Sequence, residues 1–216
     1  MGKQTIGQPV AGQAGWRWVT ERGLRVATGE TTLARYRLLV SRALPDVEDI
    51  VPADDSLLLV LKRGAALPPS VRAALIEPLD EPSGAASGTR HEIAVDYGGA
   101  AGPDLNALAR QAGMSEATYI ERHAATEYTV AFLGFQPGFP YLRGLPDTLQ
   151  AARRASPRQR VPAGSVAIGG RYTGIYPADG PGGWHLVGRV HAALFDPQRQ
   201  RPALLMPGDR VRFVPS

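Results

Sequence analysis

Four arginines, Arg153, Arg154, Arg158 and Arg160, fall within eight residues, with Pro157 among them. A guanidinium holds a carboxylate or phosphate through a rigid planar fork. Such a run is therefore either an anion clamp or a solvated basic face. Its neighbours in the chain bear on that choice. On one side lies "FLGFQPGFPYLRGLP", Phe132 to Pro146, and on the other "GIYPADGPGGW", Gly174 to Trp184. Rings belong in cores, while Pro and Gly belong in turns. Interleaved, they describe stiff loops that fix Phe139, Tyr141, Tyr176 and Trp184 as an apolar wall. An apolar wall with a few charged groups beside it is the ordinary make-up of a small-ligand pocket. The run then leads into "VPAGSVAIGG", where Pro162 and Gly164 set a turn and Ser165 offers a hydroxyl.

Other chemistries find less support. The chain has no cysteine, which excludes disulfides and thiolate metal sites. His91, His123, His185 and His191 share no metal-ligand spacing. His185 follows Trp184, so it is either an outward strand residue beside a buried indole or part of a functional loop. "IGGRYTG", Ile168 to Gly174, is rich in glycine but lacks the P-loop lysine and reads as a hairpin turn. No G-x-S-x-G elbow surrounds Ser165, which speaks against a hydrolase triad. The net charge is +4, carried almost wholly by arginine, with Lys3 and Lys62 the only lysines. That charge is spread along the chain and gives nucleic-acid binding little support. No stretch has the apolar length of a membrane helix.

These residues need a frame. "MGKQTIGQPVAGQAG" reads as a frayed tail over residues 1–15, without the apolar run of a signal peptide. Trp16 to Ala27 reads as a short hairpin, and Glu30 to Leu44 shows helical spacing. Val47 to Val51 and Leu57 to Leu61 read as strands around "PADDS", and Pro68 to Leu79 as a second helix. The order ββαββα predicts a small α+β domain over residues 16–80. "DEPSGAASGTR" then reads as a linker over 81–90. Beyond it come a strand in "HEIAVDYGG" and two helices, the first capped by Asp104 and ended by Gly113, the second capped by Ser115. From Glu127 onward, short apolar segments alternate with Gly and Pro: "YTVAFLGF", "GSVAIGG", "GWHLVGRV", "AALFD" and "RVRFVP". This predicts a mainly β domain, a barrel or sandwich, over 91–216.

Seven stretches, in order, resemble one family: "YGGAAGPDL", "FLGFQPGFPYLRGLP", "RRASPRQRVPAGSVAI", "TGIYP", "PGGWHLVGR", "LFDP" and "PGDRVRF". It is the family of the PxpB subunit of 5-oxoprolinase, which includes the sporulation-kinase inhibitor KipI and the first subunit of allophanate hydrolase. The resemblance runs from about Ile93 to Val214, and the first ninety residues fit it in outline through the "VEDIVPADDSLLLVL" hairpin. It implies a cyclophilin-like β-barrel in the C-terminal domain. It implies a cytoplasmic hetero-oligomer with a second subunit (PxpC/KipA-like) and a LamB/YcsF-like third protein (PxpA). That assembly, with ATP bound by the complex, opens the lactam of 5-oxo-L-proline to L-glutamate. A KipI-like inhibitor of a histidine kinase, or an allophanate hydrolase subunit, carries the same motifs. The resemblance implies a substrate-binding set of Phe139, Tyr141, Arg154, Arg158, Ser165, Thr173, Tyr176, Trp184 and Arg189. It assigns no catalytic residue and no metal. Tyr172 stands where the family usually has Gln, and Val190 where it has Thr.

Overall fold

The computed structural model describes residues 15–63, 66–79 and 88–216. The expected tail, apart from Gly15, and residues 81–87 of the expected linker lie outside the described residues. The chain divides into two compact units, Met1–Ala85 and Ala86–Ser216.

The first unit runs β1 (Trp16–Trp18), β2 (Gly23–Ala27), α1 (Thr32–Ser41), β3 (Val47–Ala53), β4 (Ser56–Leu61) and α2 (Pro69–Ile76), the anticipated ββαββα order. The strands form an antiparallel sheet in the order β1-β2-β4-β3. Alternate residues Leu24 and Val26 of β2 and Leu57, Leu59 and Leu61 of β4 share one buried face. Leu39 of α1 and Val71 and Leu75 of α2 close over it. Period-2 and period-3.6 apolar patterns thus meet in one core.

The second unit opens with β5 (Arg90–Tyr97), followed by α3 (Leu105–Gln111) and α4 (Glu116–Ala125). Ser115 caps α4 as expected, its Oγ accepting from the Thr118 N–H at 3.1 Å. Next come β6 (Glu127–Leu133), β7 (Pro140–Arg143), β8 (Arg158–Val161), β9 (Ser165–Gly169) and β10 (Tyr172–Ile175). β11 (Gly180–Gly182), β12 (His185–Arg189) and β13 (Arg210–Pro215) complete it. Seven strands close into the expected barrel, in the order β10-β7-β6-β13-β5-β12-β9. Every pairing is antiparallel except β13 with β5, where the last strand lies parallel to the first. Inside are Val95, Tyr128, Val130, Leu142, Val166, Ile168, Ile175, Val187, Val211 and Phe213, with Leu105, Leu108 and Tyr119 of the helices in the same core. "IGGRYTG" is the β9–β10 hairpin, its turn made at Gly170 with φ of 64°. β8 and β11 pair with each other as a separate ribbon.

Two expectations fail locally. "AALFD" forms no strand, only a single bridge between Phe195 and Ala203. Pro197 and Pro202 beside it have no N–H to give to a ladder. Asp104 stands at the start of α3 but does not cap it through its side chain. Its carboxylate is engaged elsewhere.

Candidate functional site

β9 and β10 are buried along their whole length, so each presents one face to the barrel interior and one to a second core outside it. Ile175 points inward, while Tyr172 belongs to the outer cluster with Phe132, Phe139, Val161, Ala167, Tyr176, Trp184 and Leu186. Two glycines make room for the rings. A Cβ on Gly169 would lie 2.5 Å from the Trp184 indole, and one on Gly174 would lie 3.0 Å from the Phe139 ring. Phe139 sits at the centre, its centroid 5.1 Å from Tyr141, 5.1 Å from Tyr176 and 5.4 Å from Trp184. Edge-on geometry dominates, as ring quadrupoles prefer.

The four rings singled out in the sequence are therefore brought together. They pack chiefly on one another: Phe139 and Tyr176 are each 1% exposed and Trp184 is 5%. Tyr141 is half-buried at the margin, stacked on Phe132 at 4.2 Å. Burial raises the phenol pKa of Tyr141 and of Tyr176, which keeps both neutral donors. Phe135 extends the cluster outward, edge-on to Phe139 and Tyr176, in a left-handed conformation with φ of 67°. Tyr172 stands edge-on to Phe132 and Tyr141 with Arg171 over its face at 5.4 Å.

The arginine run separates into three environments. Arg153 lies 5.9 Å over the Trp184 ring. Arg160 forks onto the exposed Asp179 carboxylate at 3.0 and 2.6 Å. Arg154 and Arg158 converge on one oxygen, Asp104 Oδ1, at 3.2 and 2.8 Å. The other oxygen, Oδ2, accepts the Leu186 N–H of β12 at 2.7 Å. Burial opposes ionisation of Asp104. The Arg158 hydrogen bond, the Leu186 N–H and the charges of both arginines outweigh it and hold the carboxyl below its ordinary range. Two cations share one anion, leaving an excess of one positive charge. Arg154 Nε and Arg158 Nη1 are buried with no hydrogen-bond partner among the described residues.

The remaining sequence candidates are dispersed around this pair. Arg189 donates from Nε to the Ala163 carbonyl at 3.1 Å, and its strand position faces Ser165 in register. Ser165 is 2% exposed. His185 is half-buried beside Trp184, its Nε2–H donating to the Ala152 carbonyl at 2.9 Å. Thr173 lies on the interior side of β10, fully buried, and donates to the Ala167 carbonyl at 3.1 Å. It accepts from His123 Nε2 at 3.0 Å, and His123 Nδ1 accepts from the Tyr97 hydroxyl at 2.7 Å. The chain Tyr97→His123→Thr173→Ala167 is satisfied at every atom, and burial pushes the His123 pKa down to about 3. Among the described residues no three or more His, Asp or Glu groups gather as a metal site, and no helix is long and apolar enough to cross a membrane.

The family model described as carboxyltransferase domain, subdomain C and D, matches residues 8–205. The chain is 47% identical over 173 residues to a protein from Escherichia coli O157:H7 named as the B subunit of 5-oxoprolinase, covering 80% of this chain and 79% of that one. It is 52% identical over 126 residues to the protein of the same name from Haemophilus influenzae, covering 58% of this chain and 59% of that one. A crystal structure of TTHA0988 superposes with a TM-score of 0.73 at 36% identity, over 90% of this chain but 40% of that one.

Proposed function

Since the chain belongs to the carboxyltransferase domain, subdomain C and D, family, with close likeness to the B subunit of 5-oxoprolinase, we propose that it is a subunit of an ATP-dependent 5-oxoprolinase. Its substrate is 5-oxo-L-proline and its product L-glutamate. The single observation that carries this reading is the likeness to two proteins of that name at 47% and 52% identity. The Arg154–Arg158 pair supports it, because the substrate carries a free carboxylate and the pair keeps two buried donors without acceptors. A buried donor left unpaired costs about 1–3 kcal/mol, which an anion seated against it relieves.

A five-membered lactam is a resonance-stabilised amide. ATP would supply the activation, its terminal phosphoryl passing to the carbonyl oxygen with release of ADP, so that water can add to the ring carbon, the C–N bond break and phosphate leave. This chain's residues hold and shield the substrate. Arg158 and Arg154 orient the carboxylate, Arg153 lies over the Trp184 face, and the buried Phe139–Tyr176–Trp184 cluster gives this region a rigid backing. The arginine pair does not fit ATP itself. Its excess of one positive charge is a poor match for a triphosphate, and no phosphate-binding loop stands in the sequence. Nucleotide is therefore assigned to the assembly, with a second subunit and a third, LamB/YcsF-like protein, in the cytoplasm. Purification with both partner proteins, followed by assay of ATP-dependent glutamate release from 5-oxoproline, tests the reading. Activity in the three-protein mixture and none in this chain alone is expected. An assembly that binds but releases no glutamate overturns it.

A further inference from the structure

The geometry points to Asp104 as the residue that positions the arginine pair and sets its charge for a monoanion; the inference rests on the reading of that pair as the substrate's carboxylate site. Three separate segments meet at this carboxylate. Arg154 comes from the loop after β7, Arg158 opens β8, and the Leu186 N–H belongs to β12. Asp104 itself is 8% exposed and is carried on the loop before α3, where Gly102 packs against the Val187 carbonyl so closely that a Cβ would lie 2.0 Å from that oxygen. The loop is thus pinned to β12 at two points, through Gly102 and through Asp104. The arginines have no other side-chain acceptor among the described residues.

Two consequences follow from the hydrogen-bond pattern. Asp104 uses Arg154 Nη1 and Arg158 Nη2, and Arg154 Nε and Arg158 Nη1 are buried donors without a partner among the described residues. Each guanidinium thus still has a charge-assisted donor to give, the kind of group that a carboxylate accepts from best. The carboxylate also cancels one of the two cations, and its depressed pKa keeps it ionised at neutral pH. A site with a single excess positive charge favours a carboxylate over a phosphate, because the second charge of phosphate has no counterpart. Without Asp104 the site would carry two uncompensated cations and lose this preference.

The test uses the assembled complex, with 5-oxoproline as substrate and inorganic phosphate as inhibitor. For Asp104→Asn, KM is expected to rise tenfold or more, with kcat changing much less. Inhibition by phosphate is expected to tighten at least fivefold. Asp104→Glu keeps the charge but displaces the arginines, so its KM should rise while phosphate inhibition stays at the parent level. Arg158→Ala separates the two levels of inference. If Arg158→Ala leaves KM unchanged, the carboxylate site itself is wrong. If Arg158→Ala raises KM while neither Asp104 variant alters KM, the site stands and the positioning role falls. Should Asp104→Asn fail to fold, Asp104→Glu decides: an unchanged KM in a folded complex overturns the proposal.

Discussion

Phe139 and Arg158 lie in neighbouring parts of the sequence's most distinctive region, yet substituting them should do different things. Phe139 is 1% exposed and touches four other rings. Phe139→Ala leaves a cavity in a close-packed cluster and should cost about 3–5 kcal/mol of stability. Arg158 is only partly buried, and Asp104 keeps Arg154 and the Leu186 N–H when it is lost. Its removal should weaken carboxylate binding by about 1.5–3 kcal/mol with little loss of stability. Chemical denaturation of the two variants beside the parent distinguishes them. Equal destabilisation would show that Arg158 is a structural residue. At this scale the sequence identifies the ring and arginine types, and does not identify Asp104 as their anchor. An Asp before a helix looks the same whether its carboxylate caps that helix or reaches Leu186, 82 residues further on. The link from Tyr97 through His123 to Thr173 is equally hidden, because a hydrogen-bonded chain across three elements leaves no local spacing.

Strands β9 and β10 show why elements are easier to read than side-chain directions. Gly and Pro mark their ends, so the hairpin is legible. Both faces are buried, so neither strand alternates, and nothing local says that Thr173 faces inward while Tyr172 faces the rings. The glycines settle it in the fold. Gly169→Ala would press a methyl into the Trp184 indole, where the Cβ lies 2.5 Å from the ring. The indole must tilt, and its contacts with Phe139, Tyr141 and Arg153 shift with it. A changed tryptophan emission and a lower melting temperature, about 1–3 kcal/mol of destabilisation, are expected. Parent-like emission and melting would mean that the indole has room to spare beside Gly169. "AALFD" misleads for the opposite reason: its apolar residues imitate a strand, while Pro197 and Pro202 deny it the partners.

For the molecule as a whole, the buried His123 couples folding to pH. The unfolded chain protonates this imidazole near its ordinary value of 6.5, the folded chain only near about 3. Between those values the unfolded state binds more protons, so stability falls as pH falls. The slope approaches about 1.4 kcal/mol per pH unit for one such group. Asp104 adds to the loss further down: its folded pKa is depressed below 3.8, so its contribution is complete above that value and disappears as pH drops through the folded value. Denaturant titrations from pH 7 to pH 4 should show the first loss, and His123→Gln should flatten it while lowering stability at pH 7. An unaltered slope in His123→Gln would place the pH dependence elsewhere.

The parallel pairing of β13 with β5 has a consequence for the order in which the chain is made. Arg210 pairs with Arg90 and Pro215 with Val95, residues 120 apart in sequence. During synthesis β5 is the first of the seven barrel strands to emerge, yet one of its two barrel neighbours, β13, is the last of the seven. The strands between them can pair with one another, but β5 and β6, which flank β13 in the closed barrel, each keep one unpaired edge until it arrives, and exposed edges are what aggregation exploits. The first unit takes all four of its sheet strands from residues 16–61, so it can pack while the barrel is still open. A ribosome stalled before Arg210 would therefore hold a finished small unit and an unclosed barrel, and emergence of β13 becomes the step that closes the second unit.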